Sequence, residues 1–204
     1  MGTVSSTLVQ IEGEYKVAQR CLSGGSVEDK GLDILRFLRG SNLLEFKEKT
    51  RNLKSINECE VDRLWIECGA DDREIVNLDT SLRFKQKYPQ LHMDTGGAEI
   101  LKLIDDGKIE SVFLDTDLPK KSLWCDWCYV IDLDKKTLEI YRGLNKKNLI
   151  ESDRFYVSEV PYETKYYSVR LLASFDINNL PSDDKFLDIT KKESEKLNLC
   201  NYNF

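Results

Sequence analysis

The chain is poor in several features that would point to a particular class of protein. Its 204 residues include a single histidine and four prolines, and 30 Lys plus Arg stand against 36 Asp plus Glu. The resulting net charge of -6 argues against nucleic acid as a partner, because nucleic-acid binding normally requires a basic face. No apolar run approaches the roughly 20 residues of a membrane-spanning helix, so we expect no membrane association. A hydrophobic content of 41% excludes a disordered chain.

The start of the chain and its cysteines predict a cytoplasmic protein. Residues 1–10 lack both the basic start and the apolar run of a signal peptide. The six cysteines are too few for a disulfide scaffold in a chain of this length. We therefore expect them to stay reduced and, for the most part, to be buried as small apolar side chains.

Two of these cysteines, Cys125 and Cys128, have the spacing of a redox or zinc motif. A redox pair needs its first cysteine at a helix N-terminus, but this pair opens a predicted strand. Residues i and i+3 of a strand point to opposite faces, so both thiols cannot reach one metal ion without a bulge. Cys59 and Cys68 would have to complete a zinc site, and their separation does not match known zinc knuckles. We interpret Cys125 and Cys128 as packing residues and expect neither a metal nor another cofactor.

The order of the predicted elements indicates a single α+β domain over residues 1–204. Alternating residues 4–11 and 14–19 flank Glu12-Gly13 and predict a β-hairpin. Strands return late in the chain, at residues 110–114, 127–142 and 167–175. A helical segment separates the two groups and predicts a largely antiparallel sheet. Helices are expected near residues 32–40, 42–53, 57–68, 80–88, 98–104 and 182–197, with Asn42, Asn57, Ser182 and either Asp94 or Thr95 as N-caps.

A group of aspartates in the second half of the chain offers the oxygen ligands that Mg²⁺ or Ca²⁺ prefers. Its members are Asp115, Asp117, Asp126, Asp132 and Asp134. No calcium-loop spacing is present, so we interpret these carboxylates as solvated or turn-forming.

Two glycine-containing segments are the best candidates for a ligand site. Ser23, Gly24, Gly25 and Ser26 precede a predicted helix, and Thr95-Gly96-Gly97 begins another. Each can present backbone N–H groups to an anion, although neither has the spacing of a P-loop or a dinucleotide motif. His92, the sole imidazole, lies beside the second segment. We predict ligand binding by Ser23, Gly24, Gly25, Ser26, His92 and Thr95, and we assign no catalytic residue.

Three parts of the chain resemble a family of uncharacterised intracellular proteins from fungi and bacteria. They are residues 15–19 with 31–38, residues 88–104, and residues 122–134 with 138–143. In that family a Gln-Trp-Asp-Gly-Tyr-Pro loop follows the first hairpin. Here the positions of its Trp, Asp, Tyr and Pro hold Ser23, Gly24, Ser26 and Val27, and only Gly25 is kept. The resemblance implies a shared domain without an established activity, and a loop that has lost its ability to stack on a ligand.

These observations favour a non-enzymatic binding or interaction protein. Its partner would be a protein or a small nucleotide-like or anionic molecule, held in a pocket between the sheet and the helices. The alternative is a hydrolase or transferase of the same fold acting on a small ligand, and a catalytic side chain in contact with His92 would favour it. The glycines further predict that the loop at residues 22–27 is mobile in the absence of ligand.

Overall fold

The first hairpin has the turn that its Glu-Gly pair predicts. In the computed structural model, which describes residues 2–71, 76–158 and 165–201, β1 (Ser5–Ile11) pairs antiparallel with β2 (Glu14–Cys21). Glu12 and Gly13 both have positive φ, at 56° and 79°, as a two-residue hairpin turn of this kind requires. The carboxylate of Asp134 accepts hydrogen bonds from both of their amides. The predicted hairpin is confirmed.

The hairpin forms one edge of a mixed sheet of five strands. β5 (Trp127–Asp132), β6 (Thr137–Arg142) and β7 (Arg170–Asp176) complete the order β2-β1-β5-β6-β7. Only the β1–β5 pair is parallel, so the sheet is largely antiparallel as predicted. A separate parallel pair joins β3 (Lys54–Ile56) to β4 (Ser111–Phe113). β3 was not predicted from the sequence, because three residues are too few to show a strand period.

Six α-helices occur among the described residues. They are α1 (Leu32–Gly40), α2 (Leu43–Arg51), α3 (Glu58–Glu67), α4 (Leu78–Lys87), α5 (Ala98–Asp105) and α6 (Asp183–Asn201). Asn42 caps α2, and Asn57 forms a capping box with Glu60 at the start of α3, both as predicted. α4 begins earlier than predicted because Asn77 caps it. Together with the sheet, these helices confirm the α+β class. Within the described residues, no helix combines the length and the apolar character needed to cross a membrane.

The predicted cap of α5 is wrong. Neither Asp94 nor Thr95 occupies the N-cap position, which belongs to Gly97 with φ 58° and ψ -135°. Residues that have a side chain rarely adopt that backbone conformation. In addition, a Cβ atom at position 97 would lie 2.7 Å from Cδ of Lys30. The Gly97 amide instead donates to Oγ1 of Thr7 in β1, which attaches the start of α5 to the sheet.

Alternation along β5 separates two apolar layers. Trp127, Tyr129 and Ile131 pack on the side that carries α1, α2, α5 and α6, as predicted for Trp127. Val130 and its neighbours face a second cluster on the opposite side of the sheet, which includes Phe155 from the segment after β6. The side chain of Cys200, also predicted to be packed, lies outside the described residues.

A third apolar cluster lies beside the main sheet. α3 and α4 pack on each other through Trp65 and Phe84, whose rings are stacked with centroids 3.6 Å apart. Phe113 of β4 joins this cluster, and the amide of Asp115, just after β4, donates to the carbonyl of Ala18 in β2. The helical pair is thereby held against the edge of the sheet formed by β2.

Candidate ligand site beside strand β2

The structure brings the two predicted glycine segments into direct contact. The Leu22 amide donates to the Met93 carbonyl over 3.0 Å, and Sγ of Cys21 donates to the Asp94 carbonyl over 3.3 Å. Gly96 packs so closely on Cys21 that a Cβ atom at position 96 would lie 2.5 Å from the Cys21 Cβ. The segments that were far apart in sequence therefore share one region of the molecule.

The polar groups of this region are largely used to hold the fold together. The Gly25 amide donates to the Thr3 carbonyl, the Tyr129 hydroxyl donates to the Gly25 carbonyl, and the Thr95 amide donates to the His92 carbonyl. Ser26 donates through Oγ to Asp29. Among these predicted residues, Ser23 and Gly24 are exposed. Amides that already have partners are not free to hold an anion, and these contacts argue against a mobile loop.

His92 does contact a hydroxyl group, but the hydrogen bonds favour a structural role. Its Nε2 lies 3.1 Å from Oγ of Ser81, and its Nδ1 accepts the Asp94 amide over 3.3 Å. The Asp94 carboxylate is farther from Nδ1, at 3.6 Å. Burial and the positive charge of Lys85 lower the pKa of His92. The neutral ring therefore carries its proton on Nε2 and donates to Ser81.

This tautomer bears on the enzyme alternative. A histidine that activates a serine must accept the hydroxyl proton, and an acidic partner must hold the proton on its other nitrogen. Here the imidazole donates towards the serine, because a backbone N–H already occupies Nδ1. The contact expected of an enzyme is present, whereas the proton arrangement that would activate Ser81 is not.

The same serine lies on the wall of a cavity of about 430 Å³ between the β2 edge and the α3–α4 pair. Its apolar walls come from five separate segments of the chain. Ser81 and Gln19 add uncharged polar groups, while Arg20 and Asp115 add one charge of each sign. The apolar lining residues are Ala18, Trp65, Val76, Leu91, Met93 and Phe113. We call this the β2-edge cavity.

Two donors on the wall of the β2-edge cavity have no partner among the residues that the structure describes. The guanidinium of Arg20 makes no hydrogen bond or ion pair with any described residue, and neither does the indole N–H of Trp65. The side chain of Trp65 is largely buried, with 7% of its surface exposed. The amide of Gln19, by contrast, donates to the carbonyl of His92. Arg20 and Trp65 are therefore placed to receive the polar groups of a bound molecule.

Sequence reasoning missed this site. Strand alternation indicates only that Arg20 lies on the opposite side of β2 from Gln19. Trp65 has the spacing of a core residue on α3, and its place on the wall of a cavity becomes apparent only when α4 and β4 are in place. Because the lining residues come from separate segments, no local motif could connect them.

A second charged group, which we call the Arg154 cluster, lies on the sheet face opposite the helices. Arg154 donates to Glu139 of β6 and to Asp132 of β5, at 2.8 Å and 2.5 Å, and also to Gln10 of β1. Tyr141 donates to Glu139 over 2.6 Å. Burial opposes the charge on Arg154, but its hydrogen bonds to Glu139 and Asp132 outweigh this effect and raise its pKa.

The aspartates are distributed as turn and surface groups, with one exception. Asp134 supports the hairpin turn, Asp126 accepts the Val4 amide, and Asp117 pairs with Lys120. Asp132 is fully buried, which the sequence analysis did not predict. Burial would raise its pKa, yet the Lys135 amide and Arg154 lower it below the ordinary value. Within the described ranges, no three His, Cys, Asp or Glu side chains converge as metal ligands would.

The two cysteines of the predicted pair are buried in one apolar cluster. The expectation that they face opposite sides is wrong, because Cys125 precedes β5 and does not follow its alternation. Its Sγ donates to the Trp127 carbonyl, and burial raises its pKa to about 12. Burial also raises the pKa of Cys128 well above that of an ordinary thiol. Neutral thiols of this kind are poor nucleophiles and poor metal ligands, in keeping with the packing interpretation.

Comparisons with protein-family models, with curated proteins and with solved structures find no match to this chain.

Proposed function

We propose that the protein is a non-enzymatic binder of a small molecule with an apolar body and an anionic group, held in the β2-edge cavity. The observation that carries this proposal is that Arg20 and the Trp65 indole, two donors on the wall of one apolar cavity, have no partner among the described residues. The ligand class is the one expected from the sequence, but the site lies beside the predicted glycine segments and not within them.

The dimensions and lining of the cavity support this proposal. Small-molecule sites commonly measure about 300–1,000 Å³ and combine apolar walls with a few placed polar groups. A guanidinium binds a carboxylate or phosphate through two parallel hydrogen bonds, and its charge attracts such a group from a distance. Trp65, Leu91 and Phe113 provide apolar surface for the rest of the ligand.

The cellular location and the class of partner are also part of the proposal. The five described thiols are free, as a cytoplasmic location would require. The resemblance to the uncharacterised fungal and bacterial family stays a prediction and contributes no activity. A small molecule, and not a nucleic acid, is the proposed partner.

Calorimetric titration with two probes tests the proposal. The probes are 3-phenylpropionate, and adenosine 5′-monophosphate for the nucleotide-like class. Arg20→Met should weaken the binding of the preferred probe by about tenfold or more, since a charge-assisted hydrogen bond contributes about 1.5–3 kcal/mol. Arg170→Met is the matched control, because Arg170 also lacks a described partner but lies on β7, at the opposite edge of the sheet. Binding that is absent for both probes, or equally weakened by both variants, would contradict the proposal.

The contact between Ser81 and His92 favours one second candidate, a serine hydrolase acting on small esters in the same cavity. It requires the imidazole proton to move from Nε2 to Nδ1, towards the Asp94 carboxylate. A fluorophosphonate probe followed by peptide mass spectrometry separates the two functions. The binding proposal predicts no covalent label, whereas a label on Ser81 that is lost in His92→Gln would establish the hydrolase.

A further inference from the structure

Asp115 gives the β2-edge cavity a second charged group of opposite sign. Its amide is fixed on the carbonyl of Ala18 in β2, and its Oδ1 accepts the Leu118 amide over 3.3 Å. Its Oδ2 has no partner among the described residues. Of the described residues that line the cavity, only Arg20 and Asp115 are charged. No ion pair within 4.0 Å joins them.

The two charges lie close enough for one small molecule to reach both. Ala18, which holds the Asp115 amide, and Arg20 are two residues apart on the same side of β2, a distance of about 7 Å along the strand. The long side chain of Arg20 can shorten the separation between its guanidinium and the Asp115 carboxylate. A ligand that carries an anionic and a cationic group on the same carbon atom can therefore engage both Arg20 and Asp115.

We propose, on the basis of the function proposed above, that the ligand is a free α-amino acid with an aromatic side chain. Its carboxylate binds Arg20 and the Trp65 N–H, its ammonium group binds Oδ2 of Asp115, and its ring packs along Trp65 and Phe113. A simple carboxylate would satisfy Arg20 but would bring its negative charge close to Asp115. Cavity walls of low polarity strengthen both the attraction and this repulsion, so the second charge selects against a plain anion.

A binding cycle with three related ligands tests this inference. L-phenylalanine, 3-phenylpropionate and phenethylamine share a ring and differ in their charged groups. The native protein should bind L-phenylalanine at least about tenfold more tightly than either analogue, as expected if each charged contact contributes about 1.4 kcal/mol. In Asp115→Asn the preference for L-phenylalanine over 3-phenylpropionate should disappear. The amide oxygen of Asn can still accept the Leu118 N–H, so this variant removes charge while keeping the turn.

Asp117→Asn is the control, because Asp117 is an exposed acid outside the cavity that pairs with Lys120. This variant should keep the native preference. If the native protein binds 3-phenylpropionate as tightly as L-phenylalanine and Arg20→Met weakens both, the amino-acid inference fails while the proposed function stands. If none of the ligands binds, both fail. A preference that survives in Asp115→Asn would overturn the assignment of the ammonium group to Asp115. The comparison of ligands on the native protein stands even where a variant does not fold.

Discussion

Two arginines of this protein show how differently the same side chain can be used. Arg154 is almost fully buried and donates to two carboxylates and an amide from three strands. Arg20 lies on the wall of a cavity and has no partner among the described residues. A charged group whose bonds are all made within the protein serves the fold. One whose donors face open space beside apolar walls is available to a ligand.

The same distinction separates the glycine segments from the β2-edge cavity. The sequence predicted a ligand site at the glycine segments because glycine amides can hold anions. In the structure, however, the amides of Gly25 and Gly97 donate to other groups of the protein. The cavity was not predicted, although Arg20 and the Trp65 indole have no partner there among the described residues. The hydrogen-bond partners of each group therefore distinguish a site from a scaffold better than residue type does.

The largest effect on stability should come from Arg154→Met. Removing one partner of a buried ion pair leaves Asp132 and Glu139 uncompensated, and such changes cost about 3–5 kcal/mol. Urea unfolding measured by circular dichroism gives the free energy of unfolding of both proteins. A loss below about 1 kcal/mol would show that the Arg154 cluster contributes little to the fold and would remove the contrast with Arg20.

Gly25→Ala should be the next most damaging change. A Cβ atom at position 25 would lie 2.7 Å from both the Thr3 carbonyl and the Cβ of Ser5, so the loop or the start of β1 must shift. Overpacking of this kind costs about 1–3 kcal/mol. Gly40→Ala is the control, since its Cβ would meet nothing within 4 Å and α1 should gain up to about 1 kcal/mol. Thermal unfolding that ranks the two variants alike would argue against a packed, anchored loop.

His92 should make stability fall as the pH is lowered. Burial lowers its pKa in the folded protein, so the unfolded chain binds the proton more readily. Stability from the neutral ring is present above about pH 6.5 and is lost as the pH falls towards the folded pKa. The loss is at most about 1.4 kcal/mol per pH unit. His92 is the chain's single histidine. The free energy of unfolding, measured between about pH 7 and pH 5.5, should therefore fall less steeply with decreasing pH in His92→Gln than in the native protein. Equal slopes would show that the histidine is not held neutral.

Arg20→Met should have the smallest effect on stability. Its side chain is exposed and has no partner among the described residues, and substitutions of this kind change stability by no more than about 0.5 kcal/mol. Measured beside Arg154→Met, it shows whether the two arginines differ as the geometry indicates. A loss of several kcal/mol would place Arg20 in the scaffold and remove it from the candidate site.

The sequence predicted the elements that have strong local signals. The Glu12-Gly13 turn and the Asn57–Glu60 capping box depend on neighbouring residues alone, and both are present. The cap at Gly97 was missed because the contact that explains it, with Lys30, comes from a distant part of the chain. The two arginines were missed for a related reason. Arg154 and Gln10 are 144 positions apart, and the cavity around Arg20 exists only once α3 and α4 have docked on β2.

The proposed site can be observed through the indole N–H resonances of the three tryptophans in ¹⁵N-labelled protein. Trp65 lines the β2-edge cavity, whereas Trp127 lies in the helix-side core and Trp124 is exposed outside the cavity. Saturation with the tightest-binding of the anionic and amino-acid ligands should move the Trp65 resonance downfield, since its N–H gains an acceptor, and should leave the other two in place. In Arg20→Met the same ligand concentration should produce little change. A ligand that binds while the Trp65 resonance stays fixed would contradict the assignment of the β2-edge cavity as the binding site.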